Sequence, residues 1–348
     1  MTSTERIPAT DPGALLGQAM AFQPAKLVLT GLELGLFRLL AEGPATTEQV
    51  REKLGLHQRG TDHFLRALAE LGVLERDGDT YRNSRATERF LVPGADGGNG
   101  GFLGGFLHVA DQVMYPAWGR LAEALRTGEP QAATYSGTNM FDQLYGDENK
   151  RNDFVSMAED ASRPLIPALV EAFDWSAHKS VLELGGCRGN VLAQVVRAHP
   201  HLDGTVLDLP QLEPAFDEHM VTLGMTGRVR FHAADFFADP LPEADVVMIG
   251  HCMVDWTDEQ RRTLIGRAFH AVRPGGAFLI WDPIIVEGQD SYLRNLIRSL
   301  NLQLMTPHGV NYRLEQCVEW LLGAGFAEVT HRPLGHDVTL VVARKGEA

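Results

Sequence analysis

Cysteine is scarce in this sequence, with only three residues among 348. Cys187, Cys252 and Cys317 are far apart and include no Cys-x-x-Cys pair, which excludes a disulfide framework and is typical of a reducing compartment. Long apolar runs are also missing, so no segment predicts a membrane span. The first residues, Met1–Pro12, are polar and lack the apolar core of a signal peptide. We therefore expect a cytoplasmic protein.

Positive charge is also in short supply. The chain has 31 Lys and Arg residues against 45 Asp and Glu residues, which gives a net charge of −14. Proteins that bind nucleic acid normally present a basic surface, so this balance argues against that class. The length exceeds one typical domain, and the hydrophobic content of 44% supports sizeable cores. We expect two domains.

The most informative stretch is Val181–Gly189, which reads VLELGGCRG. An apolar run leads into a glycine turn, and a helical pattern follows from Val191. A second predicted strand then ends at Asp208, about 20 residues after the turn. Together these elements predict a nucleoside site, because glycines let the backbone approach the ligand and the acid binds ribose hydroxyls.

The chain before this turn is predicted to form two helical regions. Region 1–100 ends in a hairpin, Val73–Tyr81, with an Asp-Gly turn, which is typical of a winged-helix-like domain. Since the chain is acidic, dimerisation is favoured over DNA binding as its role. The glycine-rich segment Pro93–Gly105 marks its end, and region 101–175 is predicted to be a helical linker that covers a pocket. The helices of the first region are predicted over Ala14–Ala41, Thr46–Leu54 and Arg59–Leu71.

Strands and helices alternate over region 176–348, which predicts an α/β domain with a parallel, Rossmann-like sheet. Between the last two strands lies only a turn at Gly335–Asp337, so the sheet should end in an antiparallel hairpin. A helix is predicted over Asp258–Ala271, before a proline-glycine stop. The strands are predicted over Val181–Leu184, Thr205–Leu207, Val229–His232, Asp245–Ile249, Ala277–Trp281, Ala327–Arg332 and Val338–Arg344.

Five motifs, in this order, give the sequence a resemblance that covers nearly the whole chain. They are LELGGCRG at 182–189, VLDLP at 206–210, AADFF at 233–237, DWTDEQ at 255–260 and RPGG at 273–276. The sequence resembles the S-adenosylmethionine-dependent methyltransferases of the caffeic acid O-methyltransferase type. A nicotinamide dehydrogenase, the other chemistry considered for such a turn, fits the terminal hairpin less well.

This resemblance implies a homodimer that binds S-adenosyl-L-methionine and a small-molecule substrate. It implies that Asp208 holds the ribose hydroxyls, and that Asp235 and Phe236 flank the adenine. The residues implied to bind the cofactor are Gly185, Gly186, Gly189, Asp208, Leu209, Asp235 and Phe236.

The sequence departs from the family at the catalytic base. Members that methylate hydroxyls carry His-Asp-Trp after the fourth strand, and that histidine takes the proton. Here the triplet is Val254-Asp255-Trp256, and valine cannot accept a proton. A lysine that plant members carry four residues earlier is Gly250 here, and Cys187 replaces the third glycine of the loop. Ordinary O-methylation by the family base is therefore not expected.

Three other residues offer metal-ligating side chains close to the predicted pocket. His251 and Asp282 follow neighbouring strands, and His308 lies in a facing loop. Two imidazoles and one carboxylate form the facial-triad ligand set of a non-haem metal. We therefore expect these three catalytic residues to hold a divalent or ferric metal ion, while packing and capping roles remain the alternative.

These features predict metal-assisted C-methylation at the β-carbon of a small α-keto acid, because a Lewis acid stabilises the enolate. In this arrangement the chain resembles an α-keto acid C-methyltransferase branch that makes β-methyl amino acids for peptide antibiotics. Arg294, Arg298 or Arg313 could pair with the substrate carboxylate. The alternatives are an O-methyltransferase of a small phenolic or antibiotic intermediate that uses a different base, and a non-methylating enzyme on the same fold.

Overall fold

The computed structural model describes residues 11–94, 102–132 and 140–347. The chain forms two compact units, Met1–Pro116 and Ala117–Ala348. The end predicted for the first domain, at residue 100, lies outside the described residues, as does most of the glycine-rich Pro93–Gly105 segment.

The first unit combines helices with a small antiparallel sheet of strand order β1-β3-β2. The predicted hairpin is present as β2–β3, whereas the winged-helix-like character of this unit stays a prediction. Its helices are α1 (Pro12–Ala19), α2 (Phe22–Glu33), α3 (Leu36–Ala41), α4 (Thr47–Leu54), α5 (Gln58–Glu70), α6 (Arg85–Leu91) and α7 (Gly104–Val109), with a π-helical turn at Ala110–Met114. Its strands are β1 (Ala45–Thr46), β2 (Leu74–Asp77) and β3 (Thr80–Asn83).

Local sequence explains how this unit begins its helices and packs its core. Thr46 and Gln49 form a capping box, in which each side chain accepts a hydrogen bond from the other residue's backbone N–H and so begins α4. The apolar residues of α3 and α5 then meet in one core, in which Leu36, Leu65 and Leu68 are completely buried.

The second unit opens with helices and continues into a seven-stranded sheet. The strand order is β6-β5-β4-β7-β8-β10-β9, and β10 runs antiparallel to both of its neighbours while the other described pairings are parallel. The predicted terminal hairpin is therefore confirmed. The strands are β4 (Ser180–Leu184), β5 (Asp203–Asp208), β6 (Val229–Ala233), β7 (Ala244–Gly250), β8 (Val272–Asp282), β9 (Glu328–Gly335) and β10 (Val338–Arg344).

Helices cover both faces of this sheet, because its central strands are apolar on both sides. One buried cluster packs α12, α13 and α14 against the strands, and the other packs α15 and α17. No helix in the described ranges is both long enough and apolar enough to span a bilayer. The helices are α8 (Tyr115–Trp118, across the division of the units), α9 (Leu121–Thr127), α10 (Met140–Gly146), α11 (Glu148–Ser162), α12 (Ile166–Glu171), α13 (Asn190–Ala198), α14 (Glu213–Leu223), α15 (Asp258–Ala271), α16 (Tyr292–Met305) and α17 (Leu314–Gly323).

Candidate active site

A cavity of about 350 Å³ lies where β4, β5 and β7 end. The carboxyl ends of parallel strands are where open α/β sheets bind ligands, and this volume suits a small molecule. Helices α10 and α11 and the loop after α16 supply the other walls. The aromatic residues that line the cavity are Phe141, Tyr145, Phe154, Phe236, Phe237, Trp256 and Trp281.

The glycine turn after β4 forms the cavity floor and is hydrogen-bonded to the residue at the end of β5. The carboxylate of Asp208 accepts hydrogen bonds from the backbone N–H of Cys187 and of Leu209, both at 2.8 Å. Gly185 has a left-handed φ of +65°, and a Cβ on Gly186 would lie 2.8 Å from Oε2 of Glu183. Glycine is therefore required here by backbone conformation and by close packing, as the sequence motif indicates.

Two acids beneath this turn are deeply buried. Burial raises the pKa of Asp208 to about 6, although its two backbone hydrogen bonds oppose the shift. Burial also raises the pKa of Glu183 to about 8, and the Oε2 atom of Glu183 has no hydrogen-bond partner among the described residues. Glu183 is therefore largely protonated near neutral pH.

Asp235 and Phe236 follow β6 and form another wall of the cavity. The carboxylate of Asp235 accepts a hydrogen bond from the backbone N–H of Phe237 at 2.8 Å, which orders the turn. The rings of Phe236 and Phe237 both meet Trp256 edge to face, with centroids 5.7 and 4.8 Å away. The side of this turn thus offers apolar ring surface next to a carboxylate.

Six of the seven residues implied to bind the cofactor line this cavity: Gly185, Gly186, Asp208, Leu209, Asp235 and Phe236. The seventh, Gly189, precedes α13 with a φ of +78°. A Cβ on Gly189 would lie 2.8 Å from the ring of Phe216. Gly189 therefore lets the chain pass from the glycine turn into α13, so its contribution to the cofactor site is structural.

The predicted metal centre of His251, Asp282 and His308 is not supported by the structure. Within the described ranges, no three His, Cys, Asp or Glu side chains are arranged to hold a metal ion. His251 and His308 line the cavity, but Asp282 is not among the described residues that do. The Asp282 side chain is instead buried, and its Oδ2 accepts a hydrogen bond from the hydroxyl of Tyr312 at 2.7 Å.

His251 is nevertheless an unusual residue at the cavity wall. Its φ of +51° is rare for a residue with a side chain, and its backbone N–H donates to the carbonyl of Trp281 at 3.2 Å. Burial, with a smaller contribution from the cation of Arg298, lowers the pKa of the imidazole to about 3. His251 is therefore neutral, and its Nε2 has no hydrogen-bond partner within the part of the chain that the structure describes.

Asp255 is a candidate functional residue that the sequence reasoning used only as part of a motif. Asp255 lines the cavity, whereas the neighbouring Val254 packs in the apolar cluster behind the sheet. Burial raises the pKa of Asp255 to about 7, the charge of Asp282 adds to the increase, and the cation of Arg261 opposes it. A cavity carboxyl that titrates near neutral pH is the property expected of a general base.

Arg261 on α15 holds the turn that carries Asp255. Its buried guanidinium donates to the carbonyl of Met253 at 2.8 Å and to that of Val254 at 3.3 Å. It also donates to the carbonyl of Val310 at 2.5 Å and lies over the ring of Tyr312. One side chain therefore connects two loops that supply cavity residues.

The three arginines considered for a substrate carboxylate have different environments. The guanidinium of Arg294 forms an ion pair with Asp337 at 2.5 Å. The backbone N–H of Arg313 donates to Oε1 of Gln316 at the start of α17. Burial lowers the pKa of Arg298, which lies on α16.

The parallel sheet, the terminal hairpin and the glycine-turn cavity define an S-adenosylmethionine-dependent methyltransferase. Residues 118–327 match the O-methyltransferase domain, and residues 19–93 match the O-methyltransferase dimerisation domain. The chain therefore belongs to the O-methyltransferase family, related to the caffeic acid type that the motifs indicate.

Relatives match this chain along nearly its whole length. It is 42% identical over 335 residues to the tetracenomycin polyketide synthesis 8-O-methyl transferase TcmO of Streptomyces glaucescens, covering 96% of this chain and 97% of that protein. It is 37% identical to the N,N-dimethyltransferase OxyT of Streptomyces rimosus, covering 94% of each. The crystal structure of human N-acetylserotonin methyltransferase in complex with SAM superposes with a TM-score of 0.84 at 26% identity, covering 98% of this chain and 100% of that one.

These matches overturn the predicted C-methylation of an α-keto acid. TcmO is named for O-methylation in polyketide synthesis and OxyT for N,N-dimethylation, so the predicted reaction and its α-keto acid substrate are wrong. The assumed metal ion is likewise unsupported, because its ligand set does not assemble. The matches favour the alternative prediction, an O-methyltransferase that uses a different base.

Proposed function

We propose that this protein transfers the methyl group of S-adenosylmethionine to a phenolic hydroxyl of a small aromatic intermediate in polyketide antibiotic biosynthesis. The match to TcmO over 96% of the chain carries this proposal. The family model supports oxygen as the acceptor atom, since it describes an O-methyltransferase domain.

The aromatic walls of the cavity support a flat aromatic substrate. The ring of Phe141 is 5.5 Å from that of Trp256, 5.7 Å from that of Tyr145 and 5.9 Å from that of Phe154, centroid to centroid. Such rings offer broad apolar surfaces with little conformational freedom to lose on binding. A planar fused-ring substrate would fit these surfaces better than a small acid.

The residues at the strand ends fit S-adenosylmethionine. The bare glycine turn leaves its backbone open to a ligand, Asp208 would accept hydrogen bonds from the ribose hydroxyls, and Asp235 and Phe236 would flank the adenine. When bound, the cofactor supplies an activated methyl group on a sulfonium. Gly185 supports the same placement because it lines the cavity, and a Cβ there would lie 3.2 Å from Sγ of Cys252.

Asp255 is our candidate for the general base that replaces the missing histidine. A phenol is a weak acid, so its proton must leave as the oxygen becomes a nucleophile. The carboxylate of Asp255 can accept that proton, and its pKa of about 7 makes it a stronger proton acceptor than an ordinary Asp. His251, which is neutral, would offer a hydrogen-bonding nitrogen to the substrate, and His308 would lie beside it at the cavity.

A transfer assay tests this proposal. The purified protein is incubated with S-adenosylmethionine and matched pairs of polycyclic aromatics that carry either a hydroxyl or an amine at the same position. We expect methyl ethers from the phenols, detected by mass spectrometry. Methylation of the amines alone would contradict the proposal and would favour the chemistry for which OxyT is named.

The dimerisation domain supports a homodimer as the working form of the enzyme. The first two helices expose apolar side chains, including Leu15, Leu16 and Phe22, and such a surface is typical of an interface. One chain has a mass of 38.2 kDa. Light scattering on the purified protein should give twice that mass. The cytoplasmic location stays a prediction from the sequence.

A further inference from the structure

A partly buried ion pair connects the glycine turn to helix α11. Nε of Arg188 donates to Oε1 of Glu159, and the second guanidinium nitrogen donates to Oε2, both at 2.5 Å. Arg188 belongs to the turn that follows β4, and Glu159 lies near the end of α11. The pair is therefore bidentate and joins two elements that are 29 positions apart.

Both side chains line the candidate cofactor cavity. The carboxylate of Glu159 is only 7% exposed, and the side chain of Arg188 is 32% exposed. Phe154 and Ser162, from the same helix, line the cavity as well. The pair thus joins the floor of the cavity to a helix that forms one of its walls.

Two other side chains, His219 and Arg163, also lie close to the carboxylate of Glu159. Nε2 of His219 lies 3.5 Å from Oε1 of Glu159 and 3.2 Å from Oδ1 of Asn190. Burial lowers the pKa of His219, so its imidazole is neutral near pH 7. A guanidinium nitrogen of Arg163, the residue after the end of α11, lies 3.7 Å from Oε2 of Glu159. Removal of Glu159 would therefore leave a partly buried guanidinium next to the glycine turn without its carboxylate.

We propose that Arg188 and Glu159 are positioning residues that hold α11 against the glycine turn and thereby set the affinity of the enzyme for S-adenosylmethionine. The inference depends on the cofactor placement given under the proposed function, but it does not depend on which acceptor is methylated. Binding of the cofactor without an acceptor therefore tests it separately from the reaction.

The test is a double-mutant cycle on cofactor binding. Isothermal titration calorimetry gives the Kd of S-adenosylmethionine for the wild type, Arg188→Gln, Glu159→Gln and the double variant. We expect each single variant to bind about tenfold more weakly, within the range of ordinary coupling energies, and the double variant to bind no more weakly than a single one. Unchanged affinity in Glu159→Gln, or losses that multiply in the double variant, would overturn the proposal.

A second ligand separates positioning from direct contact with the cofactor. Methylthioadenosine lacks the amino-acid carboxylate of S-adenosylmethionine but keeps the adenine and ribose. If the pair positions the cavity wall, both ligands lose affinity by a similar factor in both single variants. If Arg188 instead binds the cofactor carboxylate directly, Arg188→Gln weakens only S-adenosylmethionine and Glu159→Gln does not weaken it, which would contradict the proposal.

Two further variants control for the loss of a positive charge and for the geometry of the pair. Arg197→Gln removes a guanidinium from the surface of α13, close to the turn in sequence, and should leave the Kd unchanged. Arg188→Lys keeps the charge but loses the bidentate geometry, so we expect an affinity between that of the wild type and that of Arg188→Gln. Wild-type affinity in Arg188→Lys together with weak binding in Arg188→Gln would show that charge alone matters and would overturn the positioning role.

Discussion

Replacement of Asp255 by Asn removes the proposed general base with almost no change in shape. The amide of Asn cannot accept a proton from a phenol at any pH used for assay. Because Asp255 lines the cavity and, within the described ranges, no backbone N–H donates to its carboxylate, the change should leave the fold and the cofactor site intact.

The size of the effect follows from the role and from the pKa. General-base catalysis contributes about 10²–10⁴ in rate, so kcat should fall by that factor, which corresponds to about 3–5 kcal/mol of activation free energy. Burial and the charge of Asp282 raise the pKa of Asp255 to about 7. The base is active only when ionised, so wild-type kcat/KM should be constant well above pH 7 and should fall about tenfold per pH unit below it.

The assay is the initial rate of methyl ether formation from pH 5 to pH 9, with calorimetric Kd values for S-adenosylmethionine in parallel. Asp255→Asn should lose the fall in rate near pH 7 while it retains the wild-type Kd. Asp217→Asn, which changes an exposed carboxyl on α14, is the matched control and should behave as the wild type does. A kcat within about threefold of the wild type in Asp255→Asn, less than any general-base contribution, would refute the reasoning.

Four further predictions follow, three from buried acids and one from the failure of the predicted metal ligands to come together. Asp282→Asn should move the fall in kcat/KM to lower pH, because a like charge that raises the pKa of Asp255 is removed; a move to higher pH would contradict this. Glu183→Gln should raise the melting temperature relative to the wild type more at pH 8.5 than at pH 4, because the carboxyl pKa is raised from 4.5 to about 8 by burial, so its stabilising contribution is full below pH 4.5 and is lost as pH rises towards 8; the same difference between variant and wild type at both pH values would disagree. Asp208→Asn should weaken S-adenosylmethionine in calorimetry by about tenfold or more, since it lacks one acceptor for ribose hydroxyls and for the N–H of Cys187. Dialysis against a chelator should leave kcat unchanged, and a loss restored by a divalent ion would contradict the ligand geometry.

Apolar patterning predicted the sheet well because most of its strands, β4, β5, β7, β8 and β10, are buried over most of their length, whereas the edge strand β9 is largely exposed. The predicted helix Asp258–Ala271 matches α15, and the predicted Val338–Arg344 matches β10. The eighth strand is longer than the pattern indicates, since β8 begins at Val272, before the proline-glycine segment. Pairing of Val272 with Ala244 on β7 extends that strand, and such a pairing is not visible in local sequence.

The candidate site was predictable where a motif fixes backbone geometry and less so where side-chain direction matters. The glycine turn and Asp208 follow from motif spacing, because few backbone paths bring a glycine turn next to a second strand. Asp282 was correctly placed at a strand end, but its direction depends on Tyr312, 30 residues away, and the sequence does not encode that contact in any local pattern. The raised pKa of Asp255 depends on burial and on neighbouring charges from other elements, so only the folded chain reveals it.

Transfer of a ¹³C-labelled methyl group tests the central claim most directly. The enzyme is incubated with S-adenosylmethionine labelled in its methyl group and with the hydroxyl-bearing polycyclic aromatics, and the product is analysed by ¹³C NMR. The carbon shift of a methyl group distinguishes attachment to oxygen, nitrogen and carbon. We predict a single methoxy signal that depends on the enzyme; a carbon-bound methyl group, or no transfer to any phenol while the cofactor binds, would contradict the account.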